Sequence, residues 1–165
     1  MQTRAKIQLQ LSKFDKSLKL LSTIVLVVMF CFAFFVYLKS PNIIPSHFNA
    51  SGKPDGFSDK SVIFMLLFIG IFTYLGFNQL VKFPHIFNFP VSITKENAER
   101  QYELAIRMIR FLQLAILIIF TVIILMTYLT TIGITDGLGT WFSHLFLFVI
   151  NIPVIITLIQ AFKTK

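Results

Sequence analysis

Residues 20–38 read LLSTIVLVVMFCFAFFVYL, nineteen consecutive positions without an Asp, Glu, Lys or Arg. As an α-helix rising about 1.5 Å per residue, this stretch is long enough to cross roughly 30 Å of hydrocarbon. Three further windows share the property, at 61–81, 111–135 and 137–162. A single charge at mid-span costs about 2.5–3.5 kcal/mol on an insertion scale, so four charge-free windows in one short chain point to four membrane helices. The expected fold is all-α: an integral membrane protein whose residues 1–165 form one four-span domain. Its spans are expected at about 20–38, 61–81, 111–131 and 140–162, with loops at 39–60 and 82–110.

Composition agrees. The chain is 56% hydrophobic and 13% charged, where a soluble domain carries about a quarter charged residues. The first window is too long for the apolar core of a cleaved signal peptide. No small-x-small site follows it before Lys39, so it is read as a retained signal anchor. The lone Cys31 lies within that window. It excludes an intramolecular disulfide and reads as a small apolar residue.

Positive charge sets the expected orientation. Arg4, Lys6, Lys13, Lys16 and Lys19 precede the first span, and Lys82, Lys95, Arg100, Arg107 and Arg110 fall at or between the second and third. Lys163 and Lys165 follow the fourth, whereas only Lys39, Lys53 and Lys60 belong to the other side. The positive-inside bias therefore assigns both termini to the cytoplasm and the 39–60 loop to the outer face. The net charge of +8 is accounted for by this topology and by the lipid bilayer as partner, so no nucleic-acid partner is expected. Ile7, Leu11, Phe14 and Leu18 recur at helical spacing, which predicts an interfacial helix leading into the first span.

The outer loop is dense in constrained and polar residues: Pro45, His47, Phe48, Asn49, Gly52, Pro54, Asp55 and Gly56. Pro54-Asp55-Gly56 reads as a turn, since Pro pre-sets φ, Asp can bond the following backbone and Gly tolerates the exit geometry. His47, Asn49 and Asp55 supply an imidazole, an amide and a carboxylate, and the loop is the candidate ligand- or partner-binding element. On the other side, Phe83 to Thr94 is apolar but broken by Pro84 and Pro90, which predicts an irregular segment at the membrane surface. Thr94 is the expected N-cap of a helix running from Lys95 to about Thr131, with Glu96–Arg100 and Glu103–Arg107 pairs along its first turns. Its projecting turns are a solvated extension or a docking face for a regulator. Candidate docking residues on this side are Asn88, Pro90, Thr94, Asn97, Arg100 and Tyr102, together with Gln101.

The pattern Ile44-Pro45-x-His47-Phe48-Asn49-x-x-Gly52-x-Pro54-Asp55-Gly56, just after a first span, resembles a bacterial membrane-protein family of unknown function. The resemblance continues at Phe87-Asn88-x-Pro90, at Thr94-x-Glu96-Asn97-x-x-Arg100-x-Tyr102 and, more loosely, at Gly137-Leu138-Gly139. The same domain is similar to the N-terminal part of the SdpI immunity protein, though the additional C-terminal spans expected there do not follow. The resemblance implies a bacterial plasma-membrane location and a non-enzymatic role in immunity or signalling. It further implies a peptide toxin or envelope component met outside and a regulator protein met inside.

His47, Asp55, Asp59, Asp136 and His144 share one side, yet no HExxH, CxxC or short His–His spacing occurs. No metal, cofactor or catalytic residue is expected, and a membrane metallo-hydrolase is the least favoured alternative. Asn151 and Pro153 lie mid-span in the fourth helix, as in broken transport helices; a kink closed by one interhelical hydrogen bond explains them equally well. A small transporter or accessory subunit is thus the other alternative. The lack of intramembrane carboxylates weighs against ion coupling.

Overall fold

The computed structural model describes residue 7 and residues 9–165. Four helices carry the fold: α1 (Lys13–Lys39), α2 (Ile63–Leu80), α3 (Ala98–Thr131) and α4 (Thr140–Lys163). Each is long and apolar enough to cross a membrane, α2 together with the single 3₁₀ turn Lys60–Val62 that leads into it. A two-stranded antiparallel sheet, β1 (Ile43–Phe48) and β2 (Pro54–Asp59), fills the loop between α1 and α2. The fold is therefore not purely helical as the sequence reading expected: the 39–60 loop is a β-hairpin.

The helix α3 is the axis of the bundle and packs against α1, α2 and α4. The main core joins Met29, Ala33 and Val36 of α1, Ile44 of β1, Ile63 and Leu67 of α2, and Leu117 and Ile124 of α3. Gly70 lets this core close, because a Cβ there would stand 2.9 Å from Met29 Cε and 3.4 Å from Leu117 Cδ2. Small residues at helix contacts serve this purpose where lipid supplies no hydrophobic drive between spans. Most large apolar side chains of α1, α2 and α4 face outward, as expected of lipid-facing surfaces.

Contacts between the helix ends place the start of α1 and the end of α4 at one end of the bundle and the hairpin at the other. Asp15 near the start of α1 meets Arg107 of α3 at 3.3 Å, and Gln101 Nε2 of α3 donates to Ala161 O near the end of α4 at 2.9 Å.

The helix starts differ from expectation. At α1 the chain is non-helical at Leu9 to Ser12, and the helix begins only at Lys13, after a capping box in which Ser12 and Asp15 bond each other's backbone N–H. Leu9 and Leu11 instead pack beside Val81, Ile106 and Ile109, so tertiary burial of the strip outweighs its helical periodicity. Arg4 and Lys6 lie outside the described residues.

At α3 the expected cap Thr94 joins a turn one step earlier. Thr94 N–H donates to Asn97 Oδ1 at 2.9 Å, Asn97 Nδ2 donates to Ser92 O at 3.0 Å, and the helix starts at Ala98. Of the expected surface pairs, Arg100 instead meets Glu103 at 3.5 Å, while Arg107 turns inward to Asp15. The buried carboxylate of Asp15 has more to gain from a cation than solvated Glu103 does.

In α4, Asn151 Nδ2 donates to Leu147 O of its own helix at 2.8 Å, in place of the expected interhelical bond. That bond occupies one N–H of the amide within its own helix.

Candidate functional site

The hairpin is built from both sides of the strand pleat. Along β2, Pro54, Gly56 and Ser58 are half-buried and alternate with exposed Asp55, Phe57 and Asp59, the period of two that gives a strand one inner and one outer face. In β1, Ile44 and Pro45 are buried beneath the hairpin, and Ile44 enters the helix core. Pairing runs Ile43 to Asp59, Ile44 to Ser58 and Pro45 to Phe57, then His47 to Gly56 and Phe48 to Pro54. Ser46 and Asp55 are thus extra residues on opposite strands, two compensating bulges that re-aim the side chains near them. Ser46 and Ser58 hydroxyls meet at 2.9 Å across the pair.

The tight turn is not at Pro54-Asp55-Gly56, as the sequence suggested. Those residues start β2, where Pro54 is tolerated because the first position of an edge strand needs no ladder donor. The turn is at Asn49 to Gly52. Asn49 Oδ1 accepts from Ser51 N–H at 3.0 Å, Ser51 Oγ at 2.7 Å and Lys53 N–H at 3.1 Å, and Gly52 N–H closes it onto Asn49 O at 2.8 Å. An Asn side chain that mimics backbone in this way is a strong turn nucleus.

Two glycine contacts fix the hairpin in place. Gly52 has φ +77°, and its carbonyl accepts from Leu138 N–H at 2.7 Å. A Cβ at Gly52 would lie 2.5 Å from Gly139 N and O. The tip is thereby clamped, backbone on backbone, to the α3–α4 connection at Gly137-Leu138-Gly139. Two segments 85 residues apart that the family resemblance had singled out separately are parts of one joint.

Four of the eight candidate residues in this loop are therefore structural. Pro45 seats β1, Asn49 makes the turn, Gly52 forms the joint, and Gly56 leaves room for His47, whose Cβ would stand 2.9 Å from a Cβ there. His47 and Asp55 project from the outer face. Their side chains are 72% and 43% exposed, and Nδ1 meets Oδ1 at 2.5 Å. Phe57 and Ile43 of the same hairpin are also exposed. Asp59 caps the following 3₁₀ turn by accepting from Ser61 N–H at 2.9 Å, and hydrogen bonds from Ser61 hold its carboxyl below the ordinary range.

Beneath the hairpin are two apolar hollows. One, of about 230 Å³, is bounded by Pro45, Phe48 and Thr127 among others; a larger one of about 440 Å³ lies between Phe48, Phe120 and Phe142. Among the described residues, no three His, Cys, Asp or Glu side chains come together in a metal-ligating arrangement. His144 is turned to Thr140 O of its own helix at 2.9 Å.

At the opposite end, the expected docking residues separate into two sets. Asn88, Pro90, Thr94 and Arg100 are exposed. Asn97, Gln101 and Tyr102 are buried: Asn97 holds the turn before α3, Gln101 ties α3 to Ala161 and Thr164, and Tyr102 packs on Phe89 with centroids 5.5 Å apart. A face made of all seven residues does not exist. Sequence reasoning also missed the polar layer where Arg110 Nη1 donates to Asn78 Oδ1 at 2.6 Å and to Gln113 Oε1 at 3.1 Å. Gln113 Nε2 donates in turn to Tyr74 O at 2.9 Å. The available signal was Asn78, the one amide inside the 61–81 window besides Gln79, and Arg110, the last charge before the third span.

A family model described as a domain of unknown function, DUF1648, matches residues 24–71. That segment comprises most of α1, the whole hairpin and the first half of α2. A protein of Archaeoglobus fulgidus, described as uncharacterized, is 28% identical over 97 residues, covering 52% of this chain and 53% of its own length. The chain thus spans about half the length of that curated relative. No solved structure matches it.

Proposed function

We propose that the protein is a non-enzymatic, multi-pass protein of the bacterial plasma membrane. In this reading it senses or resists a peptide toxin or envelope component through the hairpin, in the manner of the SdpI-type immunity proteins its loop resembles. The observation that carries this reading is the division of labour within the hairpin. Pro45, Asn49, Gly52 and Gly56 are spent on holding its shape, and that rigid shape presents His47, Asp55 and Phe57 outward. A loop needing only to join two spans requires neither the clamp nor the exposed pair.

The charge bias of the loops supports an outward-facing hairpin and cytoplasmic termini. A rigid surface with a hydrogen-bonded imidazole and carboxyl group and an exposed aromatic ring suits a peptide, since preorganisation lowers the ordering cost of binding. On the cytoplasmic side, Asn88, Pro90, Thr94 and Arg100 form the exposed surface available to a regulator protein.

The test is a deletion strain challenged with a panel of membrane-active peptides, beside the same strain restored with the wild-type gene. Sensitisation to at least one peptide, reversed by restoration, is expected. Unchanged sensitivity across the panel, with the protein expressed in the parent, contradicts the immunity reading.

A further inference from the structure

We propose a binding site for the phosphate-bearing headgroup of an anionic phospholipid at the end of the bundle that carries the start of α1 and the end of α4. A cavity of about 720 Å³ opens there between the segment preceding α1, α2 and α3. Ligand sites commonly enclose about 300–1,000 Å³. Its charged wall is made of Lys19, Lys82 and Arg110, and none of the described residues lining it is acidic.

Arg110 is only 2% exposed. Its Nη1 is engaged by two neutral amides, and among the described residues its Nε has no hydrogen-bond partner. The nearby carboxylate of Asp15 is already held by Ser12 and Arg107. A buried guanidinium with neutral partners and spare donor capacity is an unbalanced positive site, and a phosphate is the anion its planar fork fits best.

The remaining walls name the rest of the ligand. Leu9, Leu11, Leu75, Val81 and Ile106 are apolar, which a free phosphate does not need and an acyl chain does. The position agrees. Lys19 is the last charge before the first charge-free window and Lys82 the first after the second, so the cavity lies at the headgroup level of the bilayer. Basic pockets between spans at this depth suit lipid headgroups.

The test is native mass spectrometry of the delipidated full chain, titrated with an equal mixture of phosphatidylglycerol and phosphatidylcholine of matched chains. One phosphatidylglycerol retained in about tenfold preference is expected, the size of a charge-assisted contact. That preference should persist in excess inorganic phosphate. Arg110→Gln should abolish it. Because this buried change can also unfold the protein, two variants away from the polar layer accompany it. Lys19→Gln/Lys82→Gln should reduce the preference several-fold at unchanged thermal stability, and Leu75→Trp, which fills the cavity mouth, should remove the adduct. Equal retention of the two lipids overturns the proposal. So does displacement of the lipid by inorganic phosphate, or a preference unmoved by both the double-lysine and Leu75 variants.

Discussion

Replacing Gly52 by Ala tests the joint that fixes the hairpin, and three glycines of this chain separate the energies involved. At Gly133, φ is +76° and nothing lies within 4 Å of an added Cβ, so Gly133→Ala carries only left-handed backbone strain, about 1 kcal/mol. At Gly76, inside α2, nothing lies within 4 Å either and φ is helical. Gly76→Ala should therefore be neutral or stabilising by up to about 1 kcal/mol. Gly52→Ala combines φ +77° with a Cβ 2.5 Å from the backbone of Gly139. Backbone cannot swing aside as a flexible side chain can, so the tip must lift and the Leu138–Gly52 bond is lost. Adding about 0.5–1.5 kcal/mol for that bond to the strain gives a loss of about 1.5–2.5 kcal/mol. For a chain of this size that corresponds to a fall of roughly 3–10 °C in melting temperature. Thermal unfolding of the three variants in one detergent, followed by circular dichroism, gives the order Gly76, Gly133, Gly52 from most to least stable. A Gly52 variant no less stable than the Gly133 variant refutes the clamp.

Orientation is tested with single cysteines in a Cys31→Ser background. Ser51→Cys and Asp136→Cys should react with an impermeant thiol reagent on intact cells, and exposed Glu99→Cys only after lysis; labelling of position 99 on intact cells reverses the assignment. Asp15→Ala removes both the α1 capping box and the buried partner of Arg107, for an expected loss of about 2–4 kcal/mol in thermal unfolding. Arg107→Gln, which leaves the Ser12 cap in place, should cost less, and the reverse order contradicts this account of the α1 start. Asp59 has a depressed carboxyl pKa owing to its hydrogen bonds from Ser61. Its support of the 3₁₀ turn is therefore complete above the ordinary carboxylate value and is lost as pH falls through the lowered one. Hydrogen exchange at Ser61 should accelerate over that acid range in the wild type and be fast and pH-flat, after correction for intrinsic exchange, in Asp59→Ala. Equal protection in the two proteins removes the cap from the account.

The helices were legible because the bilayer imposes one requirement on every span, and the four charge-free windows meet it regardless of what each packs against. The hairpin was not legible, for local reasons. The bulge at Ser46 accompanies a break in the two-residue period of β1, and two prolines lie in strands whose outer edges need no donors. Turn chemistry was split between Asn49 to Gly52, which makes the turn, and Pro54 to Gly56, which only resembles one. The joint between Gly52 and Gly139 is a contact between distant segments, so composition could mark each glycine as unusual without saying they meet. Of the candidate residues, those marked by side-chain chemistry, His47 and Asp55, came together as a pair. On the other side, helical spacing put Asn97, Gln101 and Tyr102 at the start of a helix but could not tell that Asn97 is held by Thr94 and Ser92, Gln101 by the C-terminal turn of α4 and Tyr102 by Phe89.

Recognition by the outer face of the hairpin is tested most directly by His47→Ala and Asp55→Ala, each assayed for abundance, melting temperature and peptide resistance on the same preparations. Both side chains are largely solvated, so their pairing contributes little to stability, within about 1 kcal/mol. The predicted result is normal abundance and a near-normal melting temperature in both variants, with resistance lost in both. Full resistance in both variants at normal abundance contradicts the account and removes the hairpin from function.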